Sequence, residues 1–149
     1  MRVVTTKIFG VLILVVVWSS LQIVASQPAA RRRVLHYEPE KVMLRGRVVS
    51  RTFYGPPNYG ENPKTDSRES QYILILNSAV DVLATGGDPT DQTERGVRRV
   101  TLVVNDFAAH PIRPLLGRRV VIEGTLFHAN TGHHHTKILI ELASIKKAR

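Results

Sequence analysis

Arg119-Val120-Val121-Ile122-Glu123-Gly124-Thr125-Leu126-Phe127-His128 is followed by Ala129-Asn130-Thr131-Gly132, and then by Thr136 to Ile145. The first stretch is β-branched and apolar, as a strand requires. The middle four residues are turn formers, with Gly132 where a positive φ suits glycine. The last stretch sets Ile138, Ile140 and Leu142 on one side, a period of two. The chain therefore closes on a β-hairpin.

Upstream the same period recurs. Arg98 to Val104 alternates Val100, Leu102 and Val104 with Arg99, Thr101 and Val103. Gln71 to Leu76 reads as a strand that resumes at Val80-Asp81-Val82 after a bulge. Lys41 to Phe53 alternates Val42, Leu44, Gly46 and Val48 with Met43, Arg45, Arg47 and Val49, and Gly46 marks a bend or close packing. Between the strands lie a long Pro/Gly loop, Tyr54 to Ser70, a polar turn at Ala84 to Arg95, and Asn105 to Gly117. In the last segment Pro111 and Pro114 leave room for one helical turn at Pro114 to Gly117. Five strands in this order predict an all-β domain, a small Greek-key barrel of the oligonucleotide/oligosaccharide-binding (OB-like) type. An immunoglobulin-like sandwich wants about seven strands.

The N-terminus predicts a signal helix. Arg2 and Lys7 precede an eleven-residue apolar run, Ile8 to Trp18, and Val24-Ala25-Ser26 offers small residues for cleavage after Ser26 or Ala25. A run shorter than about 18 residues does not span a bilayer comfortably. A retained anchor is the competing reading, because Leu21 to Ala25 extends the run. Arg31-Arg32-Arg33 just beyond it favours the cytoplasmic side. The expected organisation is a signal peptide at 1–26, a flexible basic lead at 27–37 and one domain at 38–149. The expected location is periplasmic or secreted, with no stable membrane span after cleavage.

The sequence holds no cysteine, so a lipid anchor, a disulfide framework and a thiolate zinc site are excluded. Removing Arg2 and Lys7 with the leader takes the formal charge from +9 to +7. That excess suits anionic partners, although it also serves solubility.

Three segments carry candidate chemistry. Four of the six histidines fall between positions 128 and 135. Imidazole ligates zinc, copper or nickel. On an extended strand His133 and His135 share a face, and His128 is expected opposite His133 across the hairpin. His128, His133 and His135 are thus the candidate metal set, with zinc or another transition metal. Ordinary polar hydrogen bonding is the competing role. In the second segment, Phe53, Tyr54, Pro56, Pro57 and Tyr59 could stack on a glycan or peptide, or plug the end of the barrel. The third is a basic stripe, Arg45, Arg47 and Arg51, which suits an anionic surface or simply faces solvent. Export speaks against nucleic acid as the main partner. No G-x-S-x-G, phosphate-binding loop or H-E-x-x-H is present, and Asp81, Asp106, Glu123 and Glu141 are scattered, so no catalytic set is nominated.

Three motifs, Y-E-P-E followed by V-x-L-x-G, then F-Y-G-P-P-N-Y-G-E, then L-L-G-R-R-V-V-I-E-G-T-L-F-H-A-N-T-G-H-H-H-T, resemble the bacterial domain-of-unknown-function family 4431. The resemblance covers Tyr37 to about Ile145. It implies a small exported bacterial protein and attaches no activity. It makes Phe53, Gly55, Pro56, Gly117, Gly124, Phe127, His128, Gly132 and His133 to His135 signature positions. Together these features predict a non-enzymatic binding module, with a metal-binding protein, hydrolytic or not, or a purely structural domain as the alternatives.

Overall fold

The computed structural model describes residues 31–86, 88–106 and 111–149. The expected leader and Gln27 to Ala30 lie outside the described residues. From Arg31 onward the chain forms one compact unit. Its strands are β1 (Arg33–His36), β2 (Lys41–Tyr54), β3 (Arg68–Leu83), β4 (Glu94–Val103), β5 (Arg119–His128) and β6 (Ile138–Lys147), with one 3-10 turn at Arg113–Leu115.

The ladder runs β1-β3-β2-β5-β6-β4, and β4 pairs with β3 again. Five strands, β2 to β6, therefore form a closed ring of hydrogen bonds. Most pairs are antiparallel, but β4 runs parallel to β6 and β1 parallel to β3. The expected all-β class holds, with six strands in a mixed sheet. The sixth is the correction. Arg33–His36 belongs to the supposed flexible lead, yet it pairs with Val80 to Leu83. It takes the place along β3 that β2, which pairs only as far as Leu76, leaves open.

Burial follows the period-two pattern. Along β2, Val42, Leu44 and Val48 are buried while Met43, Arg45 and Arg47 are exposed. Register carries that inward face round the ring through Leu74 and Leu76, Val100 and Leu102, Ile122 and Leu126, and Ile138 and Ile140. Leu35, Tyr37 and Ile112 join the same core. Each such side chain contributes about 1.5–3 kcal/mol when fully buried. With no cysteine this core is the main stabilising term.

Gly46 and Gly124 are needed where strands approach closely. A Cβ on Gly46 would lie 2.2 Å from the Ile75 carbonyl oxygen, and one on Gly124 would lie 2.1 Å from that of Glu141. Of the bend or close packing expected at Gly46, the structure shows the close packing.

The outward face is not uniformly polar. Val49, Ile73, Thr101, Leu139 and Phe127 form one row across β2, β3, β4, β6 and β5. Ile73, Thr101 and Leu139 in that row are only 2%, 4% and 1% exposed, so something covers them from outside. Among the described residues no helix is long and apolar enough to cross a membrane.

Candidate functional site

Over Thr101 the cover is the histidine segment. Thr136 Oγ1 accepts from the Thr101 backbone N–H at 3.0 Å and lies 2.8 Å from Thr101 Oγ1. Its own hydroxyl donates to the Ile138 carbonyl at 2.6 Å. These bonds pin Thr136 over Thr101 of the buried outward row.

The segment then meets the first long loop. Phe53 and Glu69 are direct pairing partners on β2 and β3, and Gln71 lies two residues further along β3. His135 stacks on Phe53 with ring centroids 4.0 Å apart and planes 11° from parallel. His135 Nε2 donates to Glu69 Oε1 at 2.8 Å, and His133 Nδ1 donates to Glu69 Oε2 at 2.9 Å. Carboxylate oxygens only accept, so these nitrogens carry the hydrogens. His133 Nε2 lies 3.0 Å from the Tyr59 hydroxyl, a hydrogen bond in which the phenol donates when the ring is neutral and accepts when it is charged. The Gln71 amide donates to the His133 carbonyl, while its own oxygen is buried without a partner. Desolvation pushes the Glu69 carboxyl up, but the hydrogen bonds and charge from His133 and His135 outweigh it and hold it below the usual range.

Tyr59 is presented by a loop built around one carboxylate. Asp66 accepts from the backbone N–H groups of Gly60, Asn58 and Asn62 at 2.7, 2.9 and 3.3 Å, and from Asn58 Nδ2 at 3.1 Å. Desolvation opposes the charge on Asp66, but these donors prevail and its carboxyl is held low. Within this turn Tyr59 takes φ 51°, the left-handed region that a tyrosine seldom adopts. Its ring stands edge-on to His133, with centroids 5.1 Å apart, and Tyr59 stays 39% exposed. At the end of the β2–β3 ladder the Arg68 guanidinium lies 3.7 Å over the Tyr54 ring, a cation–π contact.

The structure therefore unites two segments that are remote in sequence. Phe53, Tyr59, His133 and His135 come together, whereas Tyr54, next along β2 and paired with Arg68, takes the opposite face of the strand. Pro56 and Pro57 sit exposed on the same loop. Arg45 and Arg47 do not join them, since six to eight residues of β2 separate them from Phe53, roughly 20 Å or more along a strand. His128 also stands apart. It does not face His133, because the register pairs it with Ile138. Its Nδ1 lies 3.0 Å from the Ala129 carbonyl and its Nε2 lies 3.3 Å from Glu94 Oε1. Both ring nitrogens thus face oxygen atoms of the protein. Among the described residues no three His, Asp or Glu side chains are placed to hold a metal, so the expected three-imidazole set is not assembled.

His128 serves a second, smaller network. Lys137 Nζ reaches Glu94 Oε2 at 2.9 Å. Desolvation raises the Glu94 carboxyl, but Lys137 and His128 more than reverse it. Tyr37, edge-on to His128, donates its hydroxyl to the Gln92 carbonyl at 2.6 Å, and burial pushes that phenol up. His134 is the least engaged of the triplet: its Nδ1 accepts from the Asn130 N–H at 3.0 Å. Burial, then the neighbouring His133 and His135, hold His134 below the usual histidine range.

Gly132 differs from expectation. It is not among the glycines of positive φ. What matters is its missing Cβ, which would come within 3.2 Å of the Tyr59 ring.

Glu69, Asp66, Arg68 and Glu94 organise these networks, and sequence reasoning nominated none of them. Glu69 could be found only by counting the β2–β3 register back from the loop.

The ring and its outward clasp define a small all-β domain whose distinctive residues lie at two loops. Residues 100–146 match the model of a family described as a domain of unknown function, DUF4431. The match takes in the last four residues of β4, all of β5, the histidine segment and most of β6, but not the Phe53–Gly60 loop. No curated protein matches the chain.

Proposed function

We propose that this domain is a non-enzymatic binding module that works outside the cytoplasm, in the periplasm or cell envelope of a bacterium. Its ring is read as a Greek-key barrel of the OB-like type. The order β2-β3-β4-β6-β5, closing back on β2 with β4 parallel to β6, supports that reading. In such barrels the loop between the first and second strands and the loop between the fourth and fifth carry ligand contacts. Here those are residues 55–67 and 129–137, the two segments that meet through His133.

The observation that carries the proposal is Tyr59. A loop aromatic that only plugged the barrel would be buried. Tyr59 is 39% exposed, in a rare backbone conformation, and fixed by His133. Strained, oriented and exposed aromatic groups are found at binding sites more than elsewhere. The ligand surface centres on Tyr59 and the exposed edge of His133. Export rests on the leader pattern at 1–26.

The test is a ligand-induced change in melting temperature across a panel of envelope oligosaccharides and peptides. At least one member should stabilise the wild type by several degrees. Tyr59→Ala should lose that response while its own melting temperature stays within about 2 °C, a small surface effect. A response that survives Tyr59→Ala, or a panel with no response, leaves the clasp a purely structural device and overturns the proposal.

A further inference from the structure

The pairing register lines up cations that the sequence scatters. Arg99 on β4 pairs with Ile75 on β3, Ile75 with Arg47 on β2, and Arg47 with Arg119 on β5. These residues share the outward face. In the next row Arg45 pairs with Val121, and Val121 with Lys146 on β6. All five cations are exposed. Among the described residues Arg45, Arg99, Arg119 and Lys146 make no ion pair or side-chain hydrogen bond, and the Arg47 guanidinium donates to the Gly117 carbonyl at 2.8 Å. One acid, Glu123, borders the belt opposite Met43.

Like charges directly opposite one another on neighbouring strands destabilise a sheet. Arg47 and Arg119 are such a pair, and no acid within the belt offsets them. We infer that this belt is a second binding surface, separate from the Tyr59 surface, that takes a linear anionic glycan bearing carboxylate or sulfate groups. Strands stand about 4.8 Å apart and same-face residues about 6.6 Å apart, so the cations are spaced like the charges of an extended polyanion. Guanidinium forks pair with carboxylate and sulfate oxygens in two-point contacts. A single-stranded nucleic acid would also want rings to stack on. The belt has none, and the nearest aromatic group on β2, Phe53, is already stacked on His135.

The experiment uses a labelled heparin-derived oligosaccharide as the probe, in fluorescence anisotropy at about 50 and 200 mM salt. A neutral dextran and a single-stranded oligonucleotide of equal charge are the comparisons. The wild type should bind the sulfated probe, more weakly at the higher salt, and should bind it more tightly than the oligonucleotide. Arg45→Ser/Arg119→Ser should weaken it at least about tenfold. Lys64→Ser, in the loop far from the belt, should change it less than about twofold. Relieving the repulsion should hold or raise the melting temperature of Arg119→Ser, so lost affinity cannot be ascribed to lost folding. Equal losses in the belt and control variants, tighter binding of the oligonucleotide, or no binding at low salt would each overturn the inference. So would a fall in the melting temperature of Arg119→Ser.

Discussion

Glu69→Gln removes the charge at the centre of the clasp while keeping the side-chain shape. The carboxylate accepts two imidazole hydrogen bonds, at 2.8 Å from His135 and 2.9 Å from His133. The two bonds do not weigh equally. The His135 side chain is 16% exposed and that of Glu69 24%, whereas His133 is 53% exposed. A sheltered hydrogen bond to a charged group stabilises by about 1.5–3 kcal/mol, and an exposed one by about 0–1 kcal/mol. Glutamine retains one acceptor oxygen and so keeps part of this. The expected loss is about 1–2 kcal/mol, a fall of about 4–8 °C in melting temperature for a domain of this size. Thermal and urea unfolding followed by circular dichroism measure it. A double-mutant cycle with His135→Ala should return a coupling of about 1 kcal/mol, and one with His133→Ala less than about 0.5 kcal/mol. If the His135 coupling falls below about 0.3 kcal/mol, the error of additivity, or if His133 carries the larger share, the reasoning fails.

Three further outcomes follow from the same geometry. Thr136→Val leaves the buried Thr101 N–H and hydroxyl without their partner, so urea unfolding should show a loss of about 1–3 kcal/mol; a neutral result would mean that the loop is not pinned there. Gly46→Ala should abolish soluble folded protein, because its Cβ meets backbone at 2.2 Å, whereas Gly132→Ala faces a movable tyrosine ring and should remain folded with a loss below about 1 kcal/mol. The Glu69 and Glu94 carboxyls are held below their usual values when folded. Their contribution is therefore full above the unfolded carboxylate value of about 4.3 and is lost as pH falls through the lower folded values. Stability should decline below about pH 4.5, and the decline should be shallower in Glu69→Gln; an unchanged slope would refute the assignment.

Period-two alternation carried much of the fold. Lys41–Tyr54 and Arg119–His128 were legible because one face of each is apolar and the other polar or cationic. The alternation fades where both faces are covered. Thr101 and Leu139 point outward yet are buried, Thr101 beneath Thr136, and no local pattern announces that. Arg33–His36 was missed because a four-residue strand beside three arginines has too few positions to show a period. The histidine and Phe-Tyr segments stood out by composition. Their meeting did not, because it depends on Glu69, which lies across a long loop from its pairing partner Phe53. The histidine spacing misled at His128, whose neighbours come from Ala129 and from Glu94 on another strand.

The closure of β2 to β6 has a consequence for how this domain behaves among other proteins. A sheet bordered by a long unpaired strand offers a template on which foreign chains can add and polymerise. Here the five long strands spend their main-chain groups largely on one another. The strand left at the border, Arg33–His36, is four residues long and follows directly on arginines. The Arg33 guanidinium also reaches the Met43 carbonyl of β2 at 2.7 Å, occupying a main-chain acceptor that an incoming strand would need. Among the described residues the border is thus a short, charged stub, the form of edge that discourages strand-to-strand addition.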